Sequence, residues 1–194
     1  MPVGREPSDF AVRRDFLLAR VARGDRVLDV GCGEGRFASE LAAAGASVLG
    51  LDIAAEPLAR ARARDPALEL LLVPAAGPWP LEDASFDVVW AGEVIEHVED
   101  TGAWLSEVRR SLRSGGRLLL STPAHGRGRM LKLAASRAAF ARHFDPLGDH
   151  LRFYSRDTLA ALIESFGFES VEVTTAGPAW RRRLLLLSAI RSRF

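Results

Sequence analysis

An apolar run that breaks into three alternate glycines, Val27-Leu28-Asp29-Val30-Gly31-Cys32-Gly33-Glu34-Gly35, leaves few folds open to this chain. The run before Gly31 reads as a buried strand and the residues after Gly35 have helical spacing, so the glycines stand where a strand turns into a helix. Glycine there lets the backbone come close to a ligand and leaves the helix N-terminal amides free to bind it. At the end of the next strand-like run stands Asp52, a carboxylate placed to accept hydrogen bonds from two ribose hydroxyls. A tight turn beside a surface aspartate is the plainer reading, and the combined context disfavours it.

Short apolar runs continue to alternate with helical segments, which predicts an α/β fold: a Rossmann-like, doubly wound, mostly parallel sheet covered by helices. A length of 194 residues suits one such domain, 1–194, without a linker. Ser8 is expected to cap a helix over 9–22, within an N-terminal element 1–24 that Gly24 ends. Strands are expected over 26–32, 47–53, 68–73, 86–91 and 117–122, the last entered through a Gly115-Gly116 turn. Helices fall over 36–44, about 57–65 and 101–112. Beyond Pro123 the alternation breaks: 123–150 reads as an Arg-rich insertion with one irregular helix over 130–144. Ser155 then caps a helix to Phe166, and strands follow over 169–175 and 184–190. The connection between these last two, at Gly177-Pro178, is too short for a crossover, so they must pair antiparallel as a C-terminal hairpin.

Composition narrows the setting. A hydrophobic fraction of 48% and a charged fraction of 26% exclude a disordered or fibrous chain. One cysteine, Cys32, excludes an intramolecular disulfide, making a cytoplasmic location the default expectation. Residues 1–9 carry no apolar signal core and no apolar run is long enough to span a bilayer, so no transmembrane segment is expected. Residues 1–122 hold 14 Arg and 19 acids, whereas 123–194 hold 12 Lys or Arg and 6 acids. That asymmetry reads either as a surface for an anionic partner or as coding bias, since 25 of the 26 basic residues are Arg. No aromatic platform is interleaved with the charge, so no nucleic-acid partner is expected.

These residues carry a resemblance. Asp29-x-Gly31-x-Gly33-x-Gly35 resembles motif I of class I S-adenosylmethionine-dependent methyltransferases, and Asp52 matches their motif II acid. Residues 79–87, from Trp79 to Asp87, resemble the loop and fourth strand of that family, and 112–118 its later turn. The resemblance implies S-adenosylmethionine as cofactor. Gly31, Cys32, Gly33 and Gly35 would line its methionine portion, Asp29 would reach the amino group, Asp52 would hold the ribose and Ile53 would pack on adenine. Many members carry an Asp where this chain has Ala75-Ala76, so adenine would be met there by backbone groups and bound more weakly.

A second cluster, Glu93-Val94-Ile95-Glu96-His97, follows the fourth strand, whose end faces the ligand crevice in such folds. If helical, Glu93, Glu96 and His97 share one face at i, i+3, i+4 spacing. The string resembles the Glu-x-x-Glu-His set of quinone O-methyltransferases and small-RNA 2′-O-methyltransferases, which implies a divalent cation such as Mg²⁺ with His150 as a further ligand. Three readings stay open: a metal site of Glu93, Glu96, His97 and His150, a bare general base at His97, and a structural role in which Glu93 seats the cofactor. His125, after the fifth strand, is a second candidate base, and His143 reads as a solvated position. The apolar stripe within 130–144 is a core-packed helix, a substrate lid or a membrane-touching patch. The expected reaction is methyl transfer to a small-molecule acceptor, on oxygen before nitrogen or carbon. A nicotinamide-dependent reductase is disfavoured by the glycine spacing, and a non-catalytic cofactor-binding module stands as the third alternative.

Overall fold

The computed structural model describes residues 9–75, 77–177 and 183–193. In chain order α1 (Phe10–Leu18) leads to β1 (Arg26–Val30), α2 (Arg36–Ala43), β2 (Ser47–Asp52), α3 (Ala55–Arg64), β3 (Glu69–Leu72) and β4 (Phe86–Gly92). The second half holds α4 (Thr101–Ser111), β5 (Leu112–Pro123), α5 (Arg127–Ala134), α6 (Arg137–His143), α7 (Arg156–Ser165), β6 (Phe168–Ala176) and β7 (Leu184–Arg191). The sheet runs β3-β2-β1-β4-β5-β7-β6. Its first five strands are parallel, and β7 pairs antiparallel with both β5 and β6. The fold class is the expected one, with the hairpin docked through its second strand.

Both sheet faces are buried, which is why the strands read as continuous apolar runs. Val27, Val88, Trp90 and Leu119 pack with Phe16 and Leu17 of α1 and Leu41 of α2. Their strand neighbours Leu28, Val89 and Leu118 point the other way, into a core with Trp104 and Leu105 of α4 and Leu159 and Ile163 of α7. Alternation across the pleat thus splits one strand between two cores. Because β1 has β2 on one side and β4 on the other, a crevice opens at the carboxyl ends of these strands.

Several local expectations are corrected. Ser8 lies outside the described residues, and α1 stops at Leu18 rather than at residue 22. Gly24 does not cap it: at φ +89° its N–H donates to the Gly45 carbonyl at 2.9 Å, tying together the approaches to β1 and β2. Gly115-Gly116 is not a turn ahead of the strand but a bulge within β5, between the pairs Phe86–Leu112 and Val88–Arg117. The single helix expected over 130–144 is two helices, because the Ser136 side chain accepts the Ala139 N–H and starts a new one. Neither α5 nor α6 buries a residue, which removes the core-packed reading of this segment. Ser155 caps α7 as expected, in a reciprocal capping box with Thr158. Among the described residues no helix is long and apolar enough to cross a membrane.

Candidate active site

A cavity of about 330 Å³ opens at the carboxyl ends of β1, β2 and β4, lined among others by Gly31, Asp52, Ile53, Trp79, Glu93 and His97. Its size is that of a small-molecule site. Gly31 sits at φ +70°, and a Cβ there would stand 2.5 Å from Val94 Cγ2, so only glycine permits this close approach across the crevice. Asp52 ties the glycine turn to β2: its Oδ2 accepts the Gly33 N–H at 2.7 Å and its Oδ1 the Ala54 N–H at 2.9 Å. Ile53 holds an aliphatic face out at the lip, 65% exposed. Ala75 is on the wall, while Ala76 lies outside the described residues.

The remaining residues of the glycine turn do not form this wall. Gly35 adopts the left-handed N-cap position of α2, and a Cβ there would press on Leu68 at 2.9 Å, so it serves helix packing. Cys32 donates its N–H to the Leu51 carbonyl and is buried; burial, with the Asp29 and Asp52 charges, pushes its thiol well up. Asp29 is buried, with Oδ2 unpartnered. Burial, reinforced by the Asp52 charge, raises its carboxyl from 3.8 to about 8. The folded protein therefore holds this proton more tightly than the unfolded chain, and Asp29 opposes folding increasingly as pH rises from about 4 to about 8. Asp29→Asn removes that slope. Denaturation of the ligand-free proteins should show the variant gaining on the parent from pH 5 to pH 8, by a difference on the order of 3–5 kcal/mol. A constant difference across that range would contradict the assignment.

Glu93 breaks the helix expected across the second cluster. It stands at φ +59°, its N–H donates to the Ser121 carbonyl, and only Ile95–His97 form a short 3₁₀ turn. The i, i+3, i+4 face is therefore not made. Glu93 instead accepts from the Ser121 hydroxyl at 3.0 Å, and burial pushes its carboxyl up. Glu96 is fully buried, accepts from the Thr122 hydroxyl at 2.9 Å, and keeps Oε1 without a partner. Burial and then the neighbouring Glu93 raise it to about 7. Because a carbonyl only accepts, His97 Nδ1 donates to the Asp149 carbonyl at 2.7 Å. That leaves the lone pair on Nε2, 3.9 Å from Glu96 Oε1.

His150 packs edge-on against His97, with ring centroids 4.7 Å apart. Ligand atoms of Glu96, His97 and His150 lie within 4.8 Å of one another, a carboxylate and imidazole set fitted to a divalent cation. Glu93 is outside that group. His125 is not on the cavity wall. It is buried, donates Nδ1–H to the Pro123 carbonyl at 3.1 Å, and is held down at about 4, chiefly by burial and then by Arg129. His143, expected in solvent, packs instead on His125 and Phe153, with a buried Nε2.

Sequence reasoning missed Arg13, buried on α1 and opposing the charges of Glu93 and Glu96. It also missed Trp79 and Trp104 as wall residues. An arginine in an amphipathic helix carries no local signal of burial, and the two tryptophans lie in the β3–β4 loop and in α4, away from the strand ends that mark the crevice in sequence.

A family model described as "methyltransferase domain" matches residues 5–173. A "probable S-adenosylmethionine-dependent methyltransferase" of Mycolicibacterium smegmatis is 38% identical over 154 residues, 78% of this chain and 55% of that protein. A ubiquinone biosynthesis O-methyltransferase of Dinoroseobacter shibae is 34% identical over 164 residues, 82% of this chain and 66% of that one. The chain thus spans 55% and 66% of these two curated relatives. Among solved structures, Haemonchus contortus phosphoethanolamine N-methyltransferase 2, in complex with S-adenosylmethionine, superposes with a TM-score of 0.75 at 18% identity. That match covers 97% of this chain and 54% of the other, and shows a shared fold.

Proposed function

The chain belongs to the class I S-adenosylmethionine-dependent methyltransferases, and from that premise we propose that it transfers a methyl group to a hydroxyl oxygen of a small-molecule acceptor. Membership sets aside the nicotinamide reductase. The observation that carries the oxygen reading is His97, a cavity-wall residue: its tautomer is set by the Asp149 carbonyl, which leaves Nε2 free beside a carboxyl poised near 7. A base with a lone pair beside a group of near-neutral pKa can take and pass on a hydroxyl proton at physiological pH. An amine acceptor, once deprotonated, needs no such arrangement. Relatives named as O-methyltransferases of ubiquinone biosynthesis support the same choice.

The cofactor supplies a methyl on a sulfonium, an electrophile with a good leaving group. The chain's own part is to bind, orient and deprotonate. On this reading Asp52 takes the ribose hydroxyls, Ile53 covers the adenine, the turn at Gly31 lets the methionine portion close on the backbone, and Asp29 offers its unpartnered Oδ2 to the amino group. Glu93, beside Ser121, borders the reacting methyl, and Trp79 and Trp104 exclude water. Holding the nucleophile in line supplies much of the rate. Glu96, His97 and His150 would hold a divalent ion, whose Lewis acidity would make a neighbouring hydroxyl a better nucleophile. The 123–150 segment, with its two surface helices, is proposed as a lid over the acceptor in a single domain.

The test is methyl transfer from labelled S-adenosylmethionine to a catechol, compared with an aniline of similar shape. The catechol should be methylated and the aniline spared. With metal, activity falls in chelator and returns with Mg²⁺ or Mn²⁺; full activity in excess chelator leaves His97 as the base. Preferential methylation of the aniline would overturn the oxygen reading.

A further inference from the structure

The chain has four histidines, and they form two touching pairs, one of which includes the cavity-wall residue His97. His97, on the wall, touches His150; His125 touches His143, with ring centroids 5.2 Å apart, and Phe153 packs on both. His125 is 93% buried, and both His125 and His143 keep a buried Nε2 without a partner. Above them Arg129 of α5 is half-buried. It donates to the Ala124 carbonyl at 3.3 Å, and among the described residues no carboxylate lies within ion-pair distance of it. Arg183 adds a second positive charge in range of Arg129, and Asp149 is the acid that acts on the neighbouring His150. The insertion itself, 123–150, carries five basic residues and two acids.

A guanidinium drawn partly out of water, with a second guanidinium in range and no acid to pair with, is unfavourable alone. An anion entering there relieves the repulsion and gains charge-assisted hydrogen bonds. A cation is opposed for the same reason, which sets this cluster apart from the acidic Glu93 and Glu96 end of the cavity. We propose that Arg129, with Nε2–H of His143, forms an anion subsite, walled by the His125 ring, that holds a carboxylate or phosphate group of the acceptor. The inference rests on the methyltransferase reading and deepens it. The acceptor is an anionic small molecule whose hydroxyl lies at the His97 end and whose charged group lies under α5.

The experiment uses the full chain and three probes: inorganic phosphate, acetate, and chloride at matched ionic strength. Imidazole resonances of His125 and His143 are followed by NMR. Phosphate or acetate should shift them saturably and chloride should not; the tighter of the two identifies the acceptor's anion. Arg129→Gln should raise the apparent Kd by about tenfold or more, the value of one charge-assisted hydrogen bond, and Arg129→Lys should restore part of it. Shifts that are linear, that chloride reproduces, or that persist unchanged in Arg129→Gln overturn the proposal. S-adenosylhomocysteine binding, titrated separately, reports on the cofactor reading alone.

Discussion

Replacing Asp52 by alanine is expected to weaken S-adenosylhomocysteine binding by about 10² or more. The carboxylate has two tasks. In the free protein it accepts the Gly33 and Ala54 amides, so it fixes the turn after β1 against the end of β2. In the proposed complex its remaining lone pairs accept from the ribose hydroxyls. Hydrogen bonds to a charged group contribute about 1.5–3 kcal/mol each, so losing one such ribose contact costs about tenfold to a hundredfold. The untethered glycine turn adds to this, because its backbone must then be ordered on binding. Asp52→Asn, which keeps the shape and one acceptor oxygen, should fall between. Calorimetric titration reads both, with a thermal melt to confirm that each variant is folded. Equal affinity in Asp52→Ala and the parent would remove this residue from the site.

His97→Ala should lower turnover on a hydroxyl acceptor by about 10²–10⁴ while changing S-adenosylhomocysteine affinity little. The ring has one nitrogen committed to the Asp149 carbonyl and one free, and alanine removes the free one. Glu96→Gln separates the two ways His97 can act. Glutamine keeps the bond from Thr122 but cannot take a proton or bind a cation as a carboxylate does. In a metal mechanism the variant and chelator each abolish activity and their effects do not add. With a bare base, chelator is harmless; the parent's rate should rise through about pH 7 as this carboxyl ionises, and Glu96→Gln should remove that rise. An unchanged rate in His97→Ala would transfer the role of base elsewhere.

What could be read in advance divides along physical lines. The strand, turn and helix around Gly31 were legible because apolar period and glycine act locally. The antiparallel place of β7 followed from a connection too short for a crossover. Asp52 was legible because a strand end and a carboxylate suffice to mark it. The conformation of Glu93 was not, since nothing in a Glu-Val-Ile-Glu-His string signals a left-handed glutamate; the tertiary hydrogen bonds to Ser121 impose it. The same holds for the break at Ser136, where an apolar stripe continued across a capping serine and the cap prevailed. His143 read as solvated because the helix around it is rich in Ala and Arg, whereas in space it packs on His125 and Phe153. Long-range contacts between weakly patterned segments leave little mark on local sequence, and the histidine cluster is made of them.

The most direct measurement is thermal melting of the full chain with S-adenosylhomocysteine or with NADH, each titrated over a range of concentrations. Binding to the folded state alone raises the melting temperature with ligand concentration. S-adenosylhomocysteine should stabilise the parent in this way and lose its effect in Asp52→Ala, while NADH does nothing. Stabilisation by NADH with none by S-adenosylhomocysteine would contradict the assignment of the Gly31 and Asp52 crevice to a methyl donor.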